Sequence, residues 1–146
     1  METYSPPSYS MPSYGAPSMV EPQYAGFWIR LGTSIIDSII LLVIGAIIGV
    51  ILHSNQAAST GINTLIGLVY TFGFWLSSGQ TLGNRVTNTK LVRENGDPVT
   101  FGTAFIRYLG MIVSAIPLGL GYFWVIWDPK KQTWHDKMAG TLMIRV

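Results

Sequence analysis

Residues Gly26 to Leu52 form an apolar run, GFWIRLGTSIIDSIILLVIGAIIGVIL, whose interior holds a single acidic residue, Asp37. As a helix, the stretch from Leu31 to Leu52 is about 33 Å long, enough to cross the hydrocarbon of a bilayer. Of the 146 residues, 49% are hydrophobic and only 11% are charged, against roughly 25% charged in soluble domains. A water-soluble core needs no such apolar excess, so the chain reads as one small membrane unit. A carboxylate inside that run is costly, which makes Asp37 a functional-site hypothesis. Arg30 stands seven residues earlier at the edge of the run. That spacing puts both charges on one helix face but roughly 10 Å apart, too far for direct contact. Each therefore needs another partner.

The net charge of +2 is small and scattered, so nucleic acid is not an expected partner and the basic residues read as topology signals. The absence of cysteine excludes disulfides, thiolate metal sites and cysteine catalysis. Residues 1 to 25 repeat Tyr-Ser-Pro-Pro-Ser, Tyr-Ser-Met-Pro-Ser and Tyr-Gly-Ala-Pro-Ser. Such a composition forms no packed core and predicts a disordered tail, a solubilising tether or an aromatic docking segment. It lacks Lys, Arg and an apolar centre, so it is not a secretory signal peptide, and the first membrane segment should itself direct insertion.

Residues 26 to 146 then form the transmembrane domain. Gly45-Ala-Ile-Ile-Gly49 is a small-xxx-small motif for close helix packing, either within the chain or in a dimer. His53 to Thr60 reads as an external loop, and a second helix is expected from Gly61 to Leu76. Val86 to Val92 has strand composition, and Asn95-Gly96 with Asp97-Pro98 signals a turn, predicting a small cytoplasmic β-hairpin. Thr141 to Val146 also reads as a strand, and its pairing with Val86 to Val92 would require both on one side of the membrane. Thr100 is placed to cap a helix beginning near Phe101.

Eight of the nine Lys and Arg lie in two clusters, Arg85, Lys90, Arg93 and Arg107, then Lys130, Lys131, Lys137 and Arg145. If both clusters face the cytoplasm, the chain between them must enter the membrane and return. The 27 residues from Phe101 to Trp127 are too few for two crossings, and Ile116-Pro117-Leu118-Gly119 offers a break, favouring a kinked, re-entrant helical element. The competing topology is three straight helices with an external C-terminus. The expected fold is an all-α membrane bundle: two crossings, the re-entrant third element and the β-hairpin.

Arg30 and Asp37, the segment Gly79-Gln80-Thr81-Leu82-Gly83, Phe101-Gly102 with Arg107, and His135-Asp136 followed by Ala139-Gly140-Thr141 occur in order along the chain. Together they resemble the RDD family of small integral membrane proteins, over about residues 24 to 146. The family is named for one arginine and two aspartates, which the resemblance assigns to Arg30, Asp37 and Asp136. Asn84 stands where the family usually has Lys, and Asn88 where Gly is common, a change Asn tolerates because it accepts left-handed backbone angles. The resemblance implies a multi-pass protein of the cell membrane. Its function is expected to be transport of a small solute or cation/proton exchange; the alternative is a non-transporting accessory or scaffold that binds other membrane proteins.

Arg30, Asp37, Arg107 and Asp136 balance to zero. One reading is a structural cluster in which Arg107 satisfies Asp37 and Asp136 satisfies Arg30. The other is an ion or proton site at Asp37, tuned by the arginines. Asn63 and Thr64 lie near the opposite membrane face, too far to join as ligands. His135 is either a pH sensor or a hydrogen-bonded structural residue, and His53 lies across the membrane from it, against a shared metal site. No nucleophile set, catalytic carboxylate pair or phosphate loop can be assembled, so neither enzyme activity nor a cofactor is expected. The expected partners are the bilayer, a second copy or another membrane protein, and a cation or proton.

Overall fold

The computed structural model describes residues 22–53 and 55–146. Helix α1, Phe27–Ile51, is unbroken over its 25 residues. Ile35, Ile39, Leu42, Val43, Ile47 and Val50, three or four residues apart along one side, are each at least 50% exposed. Helix α2, Gln56–Ser77, begins where Asn55 caps it by accepting a hydrogen bond from the Ala58 N–H at 3.0 Å. The cap draws Gln56 to Thr60 into the helix, so the loop expected over His53 to Thr60 is shorter than its polar composition predicts. The two helices approach along the glycine motif. A Cβ on Gly45 would lie 3.5 Å from the Asn63 side chain, and one on Gly49 4.0 Å from Ser59 Oγ.

A short helix, α3, Leu82–Val86, follows its cap Thr81 and docks on α1 through Gly83. Strand β1, Thr89–Arg93, comes next, then the turn around Gly96 (φ +85°) and helix α4, Phe101–Ala115, capped by Thr100 as expected. The expected local hairpin does not form. Pro98 has no N–H to offer a ladder, and Pro98 to Thr100 lead directly into the α4 cap. The antiparallel partner of β1 is the distant strand β2, Thr141–Arg145, in register from Thr89↔Arg145 to Arg93↔Thr141. The other edge of β2 holds the segment before α1: Tyr24 bridges Ile144, and Ala25 N–H donates to Met143 O at 2.8 Å. The folded region therefore starts ahead of residue 26. The repeats in residues 1–21 lie outside the described residues.

After α4 the chain turns at Pro117, with Leu118 (φ +53°) and Gly119 (φ +77°) in left-handed geometry. It returns as α5, Leu120–Phe123, and a 3-10 turn, Trp124–Ile126, at 112° to α4. The limbs meet where Gly121 faces Ser114 so closely that a Cβ would sit 2.6 Å from Ser114 Cβ, and Tyr122 OH donates to Met111 O at 2.9 Å. The chain thus bends back at the expected break, and the straight alternative is not adopted. Helix α6, Trp134–Ala139, packs on α4 at Gly110, and β2 closes onto β1. Among the described residues α1 alone is long and apolar enough to cross a membrane as one helix; α4 and the α5 limb reach that measure as a bent pair.

Burial is inverted relative to a water-soluble protein. A small apolar cluster of Trp75, Leu91, Val99 and Ala104 exists, but Thr33, Thr81, Asn84, Thr89, Arg107, Ser114, Thr133, His135, Asp136 and Thr141 are also buried, while large aliphatic side chains coat the outside. Apolar exteriors on this scale mark a surface for contact with a membrane or another protein.

Candidate functional site

Asp136 sits in the first turn of α6, within a reciprocal cap: Thr133 Oγ1 accepts from the Asp136 N–H, and Asp136 Oδ2 accepts from the Thr133 N–H at 3.1 Å. Its side chain is fully buried and takes both arginines. Arg30 Nη1 donates to Oδ2 at 2.5 Å, and Arg107 Nη1 pairs with Oδ1. Arg30 also donates from Nε to Ala25 O at 2.9 Å and from Nη2 to Lys131 O at 2.7 Å. Arg107 adds Thr141 Oγ1 at 2.9 Å and stacks over Trp75, 5.2 Å from the ring centroid. A buried charge is tolerated when it is paired and its remaining hydrogen-bonding sites are filled, which this set does for Asp136. On Arg107, 3% exposed, Nε is left buried without a partner.

The expected pairing of Asp136 with Arg30 is present; that of Asp37 with Arg107 is not. Packing of α6 on α4 carries Asp136 to Arg107, and α3 fills the space around Asp37. There the carboxylate meets neutral donors: Tyr70 OH at 2.6 Å and the Gly83 N–H at 2.8 Å on Oδ1, and the Thr81 hydroxyl at 2.6 Å on Oδ2. A Cβ on Gly83 would reach within 2.8 Å of Asp37 Oδ1 and 2.5 Å of Thr33 O, so only glycine permits this approach. Thr81 Oγ1 is also 2.5 Å from Asn84 Oδ1. One hydroxyl proton thus stands between two acceptors. Asn84 is buried and donates to Thr89 Oγ1 at 3.0 Å, so the residue replacing the family's usual Lys completes a neutral polar network. Asn88 adopts φ +50°, the left-handed geometry expected of it.

Tyr70, Thr81 and Gly83, the donors around Asp37, are the site residues that the sequence did not single out. The Gly-x-Thr-Leu-Gly segment was the available signal. A threonine cap followed by a glycine N–H forms a small anion cradle, but its target becomes visible only once α3 is docked.

Arg30, Asp37, Arg107, Thr81, Asn84 and His135 line one cavity of about 520 Å³, whose other walls include Leu41, Trp75, Met111 and Phe123. Asp136 does not line it. His135 hydrogen-bonds to Thr133 Oγ1 at 2.8 Å and lies against Tyr122. Burial, with the charges of Arg107 and Arg30 behind it, pushes the His135 imidazole down to about 2, so it stays neutral. His53 remains exposed after α1.

The sequence matches the model of the RDD family over residues 24–140. It is 31% identical to the uncharacterized protein YckC of Bacillus subtilis over 125 residues, which are 80% of this chain and 82% of that one. A second Bacillus subtilis relative, the uncharacterized protein YxaI, is 27% identical across 82% of this chain and 96% of its own. The proline-rich antigen homolog of Mycobacterium tuberculosis is 32% identical over 54% of this chain, which is 34% of its own length. No solved structure is a significant match.

Proposed function

This chain belongs to the RDD family, and from that premise we propose that it is a multi-pass protein of the cell membrane that exchanges a proton at Asp37 for a small solute or cation. One observation carries the proposal: of the Asp37 and Asp136 carboxylates, only Asp37 faces the cavity, while Asp136 is sealed between two arginines. Asp136 fixes the fold, leaving Asp37 free to change state. When Asp37 is ionised, Thr81 donates to it; when Asp37 takes a proton, the Thr81 hydroxyl turns to Asn84 at no cost in hydrogen bonds.

The apolar exterior supports membrane immersion. The two basic clusters, drawn to one side by the β1–β2 pairing, support a cytoplasmic location for that side and for the N-terminus. Crossings by α1 and α2 with a re-entrant α4–α5 element fit this arrangement. Two or three helices enclose no pathway alone, so the working unit is a homo-oligomer or includes a larger membrane protein.

In proteoliposomes carrying a pH gradient, the protein should move a solute or cation, and Asp37→Asn should abolish that movement while folding and oligomer size are kept. Absence of flux across the common cations and small solutes would favour the accessory role. That second reading draws on one observation, that both carboxylates find partners inside the chain.

A further inference from the structure

The charges around the cavity are sorted by wall. At one end Arg30 and Arg107 share a single carboxylate, Asp136, and the nearby buried Asp128 is itself paired with Lys137, so the arginines keep an excess of one positive charge. Among the described residues the buried Arg107 Nε has no acceptor, although Arg107 lines the cavity and its guanidinium lies over the Trp75 ring. An N–H left without an acceptor costs about 1 to 3 kcal/mol. At the other end Asp37 receives three neutral donors and no cation. Its Oδ2 accepts one of them and keeps a free lone pair.

A purely anionic ligand answers the arginines but is repelled by Asp37. A purely cationic ligand does the reverse. Both walls are satisfied together by a molecule carrying both charges. Leu41, Met111 and Phe123 give the same cavity apolar surface, beside the polar Thr33 and Ser34 of α1. Arg30 and Asp37 are separated by roughly 10 Å along α1, so the two ligand charges must be several bonds apart. A volume of about 520 Å³ is within the ordinary range for a small-molecule site.

We propose that the cavity binds a zwitterion with separated charges, its anionic group at Arg107, its ammonium group at Asp37 and its short apolar linker against Met111 and Phe123. This rests on reading the cavity as a solute site and names the class of solute. The same chemistry occurs in a free ω-amino acid and in the headgroup of a zwitterionic lipid.

Calorimetric titration of the full chain in detergent micelles separates these sources, with ε-aminocaproate as the free solute and phosphoethanolamine as the headgroup. Caproate and hexylamine, each retaining the chain and one charge, are the controls. One or both zwitterions should bind, and each control should be weaker by about ten-fold or more, the worth of one charge-assisted hydrogen bond. Arg107→Lys, which keeps the charge and removes Nε, and Asp37→Asn should each weaken binding by a similar factor, with a melting transition certifying that the variants are folded. Failure of both zwitterions to bind the folded protein overturns the proposal, as does a single-charge control that binds as tightly. Flux of an inorganic cation without zwitterion binding removes this inference and leaves the transport reading; zwitterion binding with no flux removes transport and leaves the site.

Discussion

Asp136 gives one oxygen to each of two buried arginines, so Asp136→Asn leaves both guanidinium groups short of a counter-charge. Breaking a buried pair from one side costs about 3–5 kcal/mol, and the variant should fail to give a monodisperse, cooperatively melting species on purification. Asp37→Asn, whose partners are neutral, should melt close to the parent. This contrast was only partly legible beforehand. Arg30 and Asp136 stand in recognisable motifs, and their pairing follows once both are placed on one side. The partner of Arg107 does not follow, because position along α4 fixes the depth of its side chain but not which of two carboxylates packs there. Asp37 kept its neutral donors hidden for a related reason: one is a backbone N–H, which no residue type announces.

Among the elements, the caps and the bend were the readable parts. Thr100, the Asn-Gly turn and the Pro117 to Gly119 break each rest on local stereochemistry, and each is used. The start of α2 was harder to read, because it depended on one asparagine side chain. The C-terminal strand was readable from its composition, but its choice as partner of β1 over a local hairpin rested on contact between segments some fifty residues apart. The closeness of the α4–α5 limbs makes a sharp test. With a Cβ destined for 2.6 Å from Ser114 Cβ, Gly121→Ala must push the limbs apart. Its expected cost is about 1–3 kcal/mol, as for other overpacked interiors, read as a lowered melting temperature in detergent. A Ser114→Gly second change should recover part of the loss.

For the molecule as a whole, the buried neutral His135 links stability to pH. Its unfolded-state imidazole takes a proton near its ordinary value of 6.5, while the folded one resists until about 2. Between those values the unfolded chain binds the extra proton, so stability is highest above 6.5 and falls as the pH drops through that window. The slope is at most about 1.4 kcal/mol per pH unit for one such group. Thermal melts at about pH 7.5 and about pH 5 should therefore diverge for the parent more than for His135→Gln. Sidedness is tested with a cysteine at Lys130, whose side chain is 55% exposed. In this cysteine-free chain an impermeant thiol reagent should label it in inverted vesicles and not in intact cells.

The arginine of α1 and the aspartate that neutralises it are 106 residues apart, and the aspartate is made just before the strand that pairs with β1. Chains emerge and begin to fold from the N-terminal side, so α1 is made while its own counter-charge does not yet exist. Formation of the helix and neutralisation of its arginine are therefore separate events in time.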